Sequence, residues 1–277
     1  MSNSLASGHA RKMAIALDEP ARYQLRLGEQ QLDLNQYLGQ ALQLEFLGQI
    51  NCQHCQRQTS KSFAQGYCWP CFKSLAQCDS CIMSPEKCHF AAGTCREPDW
   101  AQRFCMTDHI VYLANSSTVK VGITRANQMP VRWLDQGATQ ALPIFRVSTR
   151  QQSGLVEDAL RAHVSDRTSW QAMLKGDAEP VALEQVRDSL YGLCEQQIEQ
   201  LQQRFGLQAI APLPDAQTVA MTYPVLEYPL KVKSFNLDKH PLVEGTLLGL
   251  KGQYLIFDTG VINIRKYTSY QLELRQL

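Results

Sequence analysis

Eight of the ten cysteines fall within residues 52–95, as Cys52, Cys55, Cys68, Cys71, Cys78, Cys81, Cys88 and Cys95, with Cys105 and His109 close behind. Few folds accommodate such a run. Three Cys-x-x-Cys pairs follow one another, and each can set two thiolates on one tight turn, which is half of a tetrahedral zinc site. Cys52 with Cys55, and Cys68 with Cys71, are two such halves separated by twelve residues, the spacing of a zinc ribbon. A disulfide framework would use the same residues, but disulfides belong to oxidising compartments. Arg11-Lys12 precede only a short apolar run at residues 13–17, too short for a signal-peptide core, so reduced thiols in the cytoplasm are expected.

The second half of the cluster admits several ligand sets. Cys78, Cys81, Cys88 and Cys95 would close an all-cysteine site. Cys78 and Cys81 can equally join two of Cys88, Cys95, Cys105 and His109, and thiolate-rich sites also suit iron–sulfur clusters. A second zinc on Cys78, Cys81, Cys88 and Cys95 is the expectation, with Cys105 and His109 as alternative ligands. His54 and His89 stand beside ligands and read as bystanders. Cys194, inside a helical pattern, reads as a small apolar packing residue.

At 277 residues the chain has room for two or three domains. No run of about eighteen apolar residues occurs, so no membrane-spanning helix is predicted. The net charge of +1 conceals a division: residues 101–177 carry more Lys and Arg than acids, and residues 178–230 the reverse. Nucleic-acid binders are often far more basic than this, so charge alone argues little for one.

Taken in order, residues 1–20 read as a loose polar tail, followed by alternating strands at 23–27, 31–34 and 41–50. Beyond the cysteines the pattern predicts strands at 109–114 and 118–124 turning at Asn115-Ser116-Ser117. A helix opening at Pro130, a strand over 142–147 and a helix capped by Ser153 come next. One amphipathic helix is expected over 180–205, a proline-marked boundary at 211–215, and strands at 225–232, 245–250, 254–258, 261–265 and 270–274. The fold class is α+β. Its expected parts are a tail and strands (1–50), a cysteine-rich zinc module (51–108), a ββαβα domain (109–178), an amphipathic helix (179–210) and a small β unit (211–277). That last unit has the strand spacing of a small barrel, which the first strands can join.

Within residues 109–175 the chain carries Val111-Tyr112-Leu113, then Lys120-Val121-Gly122-Ile123-Thr124, then Arg132 on the first helix and Glu157 on the second. This arrangement resembles the GIY-YIG nuclease superfamily, in which two short motifs lie on adjacent strands ahead of an arginine-bearing and a glutamate-bearing helix. Tyr112 matches the tyrosine of the first motif. Lys120 stands where the superfamily usually has a second tyrosine, and Ser169 near where many members carry an asparagine. The resemblance implies phosphodiester hydrolysis, with Tyr112 helping to activate water, Arg132 steadying the phosphate, Glu157 holding Mg2+ or Mn2+, and Lys120 assisting. A guanidinium fork and a metal ion both suit the charge spread over a phosphodiester transition state. Lys120, Gly122, Arg125 and Arg132 would contact nucleic acid, DNA or RNA.

The whole chain is also similar to an uncharacterised bacterial family with a cysteine-rich segment ahead of this domain. Gly93-Thr94-Cys95-Arg96-Glu97, Arg132-Trp133-Leu134-Asp135-Gln136-Gly137-Ala138 and Gly252-Gln253-Tyr254-Leu255-Ile256 carry that similarity. Two other readings of function stand beside a nuclease: a non-catalytic binder of RNA or ribonucleoprotein, and a zinc-stabilised adaptor for a protein partner. Trp133, Trp170 and Tyr191 read as core residues; Trp69, inside the ribbon, reads either as core or as one of the aromatics that ribbons expose at a partner surface. Arg265-Lys266-Tyr267 combines charge with an aromatic, as in single-strand binders.

Overall fold

Alternating apolar residues at the two ends of the chain are drawn into one sheet. The computed structural model describes residues 3–164 and 169–277. Before the cysteines lie β1 (Asn3–Ala16), β2 (Arg22–Leu27), β3 (Gln30–Asp33) and β4 (Ala41–Ile50); near the end lie β10 (Leu242–Lys251), β11 (Tyr254–Phe257), β12 (Gly260–Asn263) and β13 (Tyr270–Gln276). These eight pair antiparallel in the order β12-β11-β10-β4-β13-β1-β2-β3. In β2 the period of two is plain: Tyr23, Leu25 and Leu27 are buried, while Arg22 and Gln24 face out.

β1 corrects the expectation of a loose tail. Its buried residues are Ala6 and Ala10, then Met13 and Ile15, so the inward phase changes from even to odd positions. A register shift between Arg11 and Ala14 makes that change. One extra residue in a strand moves every later side chain to the other face, which hides the alternation from a sequence reading.

The second antiparallel sheet comprises β5 (His109–Asn115), β6 (Val119–Arg125), β7 (Gln140–Val147), β8 (Ile210–Pro212) and β9 (Val219–Ala220). Its order is β6-β5-β7-β8, with β9 also on β7. Every residue of β5 is buried. Ile110, Tyr112 and Ala114 join the core of the large sheet, whereas Val111 and Leu113 pack with the helices on the other face. β5 thus contributes to both cores, as does β7 with Ala141 on one side and Leu142 and Ile144 on the other.

Seven α-helices join the sheets among the described residues, besides short 3-10 turns: α1 (Trp69–Ser74), α2 (Pro98–Phe104), α3 (Val131–Asp135), α4 (Arg150–Arg161), α5 (Trp170–Met173), α6 (Leu183–Leu193) and α7 (Glu195–Phe205). The single helix expected over 180–205 is two, meeting at Cys194, which leaves helical geometry at φ −109° and ψ 8°. Thr149, not Ser153, caps α4: it forms a capping box with Gln152, while Ser153 Oγ donates to the Arg150 carbonyl at 2.7 Å. At the proline-marked stretch, residues 211 and 212 lie in β8 on the edge of β7, where Pro212 is tolerated. The strand expected over 225–232 reduces to an isolated bridge between Val225 and Gly249, Pro224 and Pro229 lacking the N–H a ladder needs. No helix among the described residues is long and apolar enough to cross a membrane.

Candidate functional site

β4 runs directly into residues 51–78, the expected ribbon, which carry the first cysteine cluster. Cys52 follows its last residues, the Gln56 N–H donates to the Cys52 carbonyl at 2.9 Å to close the first knuckle, and Cys68 and Cys71 sit at the start of α1. The Sγ atoms of Cys52, Cys55, Cys68 and Cys71 all lie within 4.8 Å of one another. Cys55 and Cys68 approach to 3.6 Å. A tetrahedral ion with Zn–S bonds of about 2.3 Å needs S···S edges of about 3.8 Å, so the four thiols fit zinc. None of the ten cysteines is in a disulfide. Burial opposes ionisation of Cys52, but backbone N–H groups of Cys55, Cys68 and His54 outweigh it and bring this thiol down to about 6. Burial and its three thiol neighbours push Cys71 the other way. Together these make one ready thiolate among partners that ionise when a cation arrives.

The structure divides the remaining cysteines differently from the sequence expectation. Cys78 packs with Cys52, Cys68, Cys71 and Leu75 in the small core of the ribbon. Cys81, Cys88 and Cys95 instead line one cavity of ≈ 10 Å³ together with Cys105. The set Cys78, Cys81, Cys88 and Cys95 is therefore split between two clusters. Ligand atoms of Asp79, Cys81 and His89 also lie within 4.8 Å of one another. His54 is exposed. His109 is fully buried, its Nδ1–H donating to the Thr107 carbonyl at 2.7 Å and its Nε2 without a hydrogen-bond partner. Cys194 is buried, as a packing residue should be.

Tyr112, Lys120, Arg132 and Glu157 converge around β6. Tyr112 lies opposite Gly122, and Lys120 opposite Ala114, so Tyr112, Gly122 and Lys120 share one face of the strand pair. The Tyr112 hydroxyl donates to Gln136 Oε1 at 3.1 Å. With the Gln136 amide turned to satisfy both neighbours, its nitrogen instead donates to the Tyr112 hydroxyl at 3.1 Å and its oxygen accepts from the two Arg132 nitrogens at 3.2 and 3.3 Å. Burial raises the pKa of Tyr112; Arg132 and Gln136 oppose that, and the charge of Glu157 adds to it. The phenol is therefore neutral at ordinary pH. Burial, with the charge of Arg132 adding, lowers Lys120 to about 8. Glu157, whose side chain is 13 % exposed, also faces Arg161 at 3.5 Å.

Gly122 is the residue that makes room for this group. A Cβ there would lie 2.7 Å from the Tyr112 ring and hydroxyl. Gly122→Ala is expected to displace the phenol and to lower stability by about 1–3 kcal/mol through overpacking, measurable by denaturant unfolding. An unchanged midpoint and an unchanged Tyr112 hydroxyl resonance would contradict that packing. Arg125 corrects the expected cationic patch. Alternation places it on the face opposite Lys120, where its guanidinium carbon sits 4.9 Å from the Phe104 ring centroid.

The profile of a family described as "Protein of unknown function (DUF2797)" matches residues 39–272. The chain belongs to this family. The DUF2797 match takes in β4, both cysteine clusters, Tyr112, Lys120, Arg132, Glu157 and the C-terminal strands, leaving β1 to β3 outside it. No curated protein and no solved structure matches the chain.

Several residues that position the site carried no sequence signal. Asp135, one turn beyond Arg132 on α3, accepts from Lys12 Nζ at 2.6 Å and Gln253 Nε2 at 2.8 Å, and Gln253 Oε1 in turn accepts from the Met13 N–H at 2.8 Å. These bonds fasten α3 to β1. Arg150, at the start of α4, donates to the Ile82 carbonyl at 2.6 Å and feels the charges of Cys105, Cys81, Arg132 and Glu157. Gly154 lets the backbone of Glu86 approach α4 so closely that a Cβ would lie 2.7 Å from its nitrogen. The second cysteine loop is thus packed against the helix that carries Glu157.

Proposed function

We propose that this chain is a zinc-containing nucleic-acid-binding protein in which a GIY-YIG-like unit offers a phosphodiester site made of Tyr112, Lys120, Arg132 and Glu157. The observation that carries this reading is the convergence of those four side chains, distant in sequence, on one face and edge of β6, with Arg132 and Tyr112 sharing Gln136. Arg132 and Lys120 would hold the phosphate oxygens. In a hydrolytic step, water attacks phosphorus, the P–O bond to the leaving sugar oxygen breaks, and the attacking water's proton passes to a base. Lys120, at about 8, is better matched to that task than the neutral Tyr112 hydroxyl, which orients water by hydrogen bonding. Glu157 supplies a carboxylate for Mg2+ or Mn2+, an ion that would steady the developing charge. Two zinc ions belong to the reading, one on Cys52, Cys55, Cys68 and Cys71, whose thiols already lie together, and a second taken up around Cys81, Cys88, Cys95 and Cys105, which line the small cavity. The β unit formed by head and tail strands serves as the barrel-like platform beneath α3.

The test is incubation of zinc-loaded protein with labelled DNA and RNA in Mg2+ or Mn2+ across pH 6–10. Between pH 7 and 9 Lys120 loses its proton, so binding should weaken as cleavage rises, and Lys120→Gln should flatten both profiles. Glu157→Ala should abolish cleavage, by roughly 10²-fold or more, and spare binding. Substrate bound but never cut, with Glu157→Ala indistinguishable from the parent, would remove the hydrolytic role and leave the non-catalytic binder.

One observation favours the adaptor as a second reading. Trp69, 51 % exposed, stacks with Phe63 and Phe72 on the ribbon surface, at centroid distances of 5.1 and 5.6 Å. A partner captured from lysate and retained after nuclease treatment, then lost with Trp69→Ala, would select it.

A further inference from the structure

A cavity of ≈ 650 Å³ opens between β1, β2 and the ribbon, apart from the four-residue site above. It falls in the range of roughly 300–1,000 Å³ typical of ligand sites. Four permanent cations line it, Arg11, Lys12, Arg26 and Arg265, and none of the lining residues is a carboxylate. Arg11 and Arg26 are direct cross-strand partners. Like charges opposite one another work against strand pairing, so this pair weakens the free protein unless an anion lies between the guanidinium groups. The nearby Glu29 does not supply it: its side chain is 95 % exposed and 3.5 Å from Arg11, a weak surface pair.

The cations of the cavity continue into the candidate site. Lys12 is bonded to Asp135, three residues beyond Arg132, and burial together with the charge of Arg132 lowers Arg265. The opposite wall belongs to the ribbon, where Gln53, Gln65 and Gln77 present side-chain amides and Tyr67 an aromatic ring. Arg265 Nε donates to Gln65 Oε1 at 2.6 Å, which holds the guanidinium at that wall. Cations on one side and amides on the other suit phosphates and base edges respectively. No large aliphatic side chain lines the cavity, and a membrane surface would call for apolar anchors.

We propose that this cavity holds a nucleic-acid strand leaving the Arg132 site, its phosphates on Arg11, Arg26 and Arg265 and its bases toward the ribbon. This rests on the nucleic-acid reading above and names where the strand runs. The test is fluorescence anisotropy of zinc-loaded protein with a 5′-fluorescein single-stranded oligonucleotide of RNA, and one of DNA, across a KCl series. Arg26→Ala/Arg265→Ala should weaken binding about tenfold and reduce the slope of log affinity against log salt by about 1.4, two phosphate contacts at about 0.7 each. Arg26→Ala alone should melt at or above the parent temperature, because the opposed guanidinium pair is relieved. Should the double variant bind like the parent while Arg132→Ala weakens binding, the cavity has no role and the Arg132 site stands. If the parent binds neither oligonucleotide, both readings fail. Inorganic pyrophosphate displacing the oligonucleotide as effectively as unlabelled strand would overturn the proposal in favour of a small polyphosphate ligand.

Discussion

Chelation of zinc is expected to unfold the ribbon and to leave the large sheet in place. The core of the ribbon consists of Cys52, Cys68, Cys71, Leu75 and Cys78, with Tyr67 and Phe72 against it. Four of those seven residues are cysteines, three of them ligands, so apolar burial alone is too small to hold residues 51–78 together. Structural zinc in small modules is worth on the order of 10–16 kcal/mol of apparent binding, and that energy is also folding energy. On the proposed reading, elemental analysis finds two zinc ions per chain, one of them on Cys52, Cys55, Cys68 and Cys71. Cys68→Ser should remove one of them and expose the ribbon to limited proteolysis, while Cys78→Ser should retain both. The core of the large sheet draws on Tyr23, Leu25, Leu44, Leu247, Phe257 and Leu272, none of them from the ribbon, and should persist. Because Gln53, Gln65 and Tyr67 form one wall of the cationic cavity, chelation should also weaken oligonucleotide binding. An unchanged proteolytic pattern after complete metal removal would show that the thiols are not what holds the ribbon.

Acid should destabilise the protein through His109 before the carboxylates titrate. Burial, aided by the charges of Arg150 and Arg125, lowers this imidazole to about 4, although its bond to the Thr107 carbonyl opposes the shift. The unfolded chain takes up the proton near pH 6.5 and the folded chain only near 4. Above 6.5 both states are neutral and the stability is full. As pH falls from 6.5 toward 4 the unfolded state binds the proton first, and about 3 kcal/mol is lost. His109→Leu loses one hydrogen bond, roughly 1 kcal/mol at pH 7, yet removes this pH dependence. Chemical denaturation of both proteins at intervals from pH 7 to 4 measures the difference in slope. Parallel curves would mean that His109 is protonated in the folded state.

The parts legible in the sequence are those whose signal is local. A Cys-x-x-Cys pair sets two ligands on one turn whatever surrounds it, so Cys52, Cys55, Cys68 and Cys71 could be grouped from spacing alone. The alternation of β4, the apolar run of β5 and the short connection between β5 and β6 are local too. The failures are of two kinds. Backbone irregularity concealed β1, whose register shift reverses the inward face at Met13, and likewise concealed the break at Cys194. Long-range packing decided the rest. Spacing could not assign Cys78 to the ribbon and Cys105 to the second cavity, because α2 lies between Cys95 and Cys105 and brings the latter back. Nor could it find Lys12, Asp135 and Gln253, three residues joined across more than a hundred positions, or set Arg11 opposite Arg26. Arg125 was misplaced for a simpler reason: it directly follows Thr124, and on a strand the next residue points to the opposite face.

Ultraviolet crosslinking in cells, followed by purification of the zinc-loaded chain and mass spectrometry of its peptide–nucleotide adducts, tests the central claim most directly. Adducts on peptides containing Tyr112, Lys120 or Tyr67, reduced sharply in Arg132→Ala, are the predicted result. Recovery of no nucleic acid above the Arg132→Ala background, from protein carrying its full complement of zinc, would contradict it.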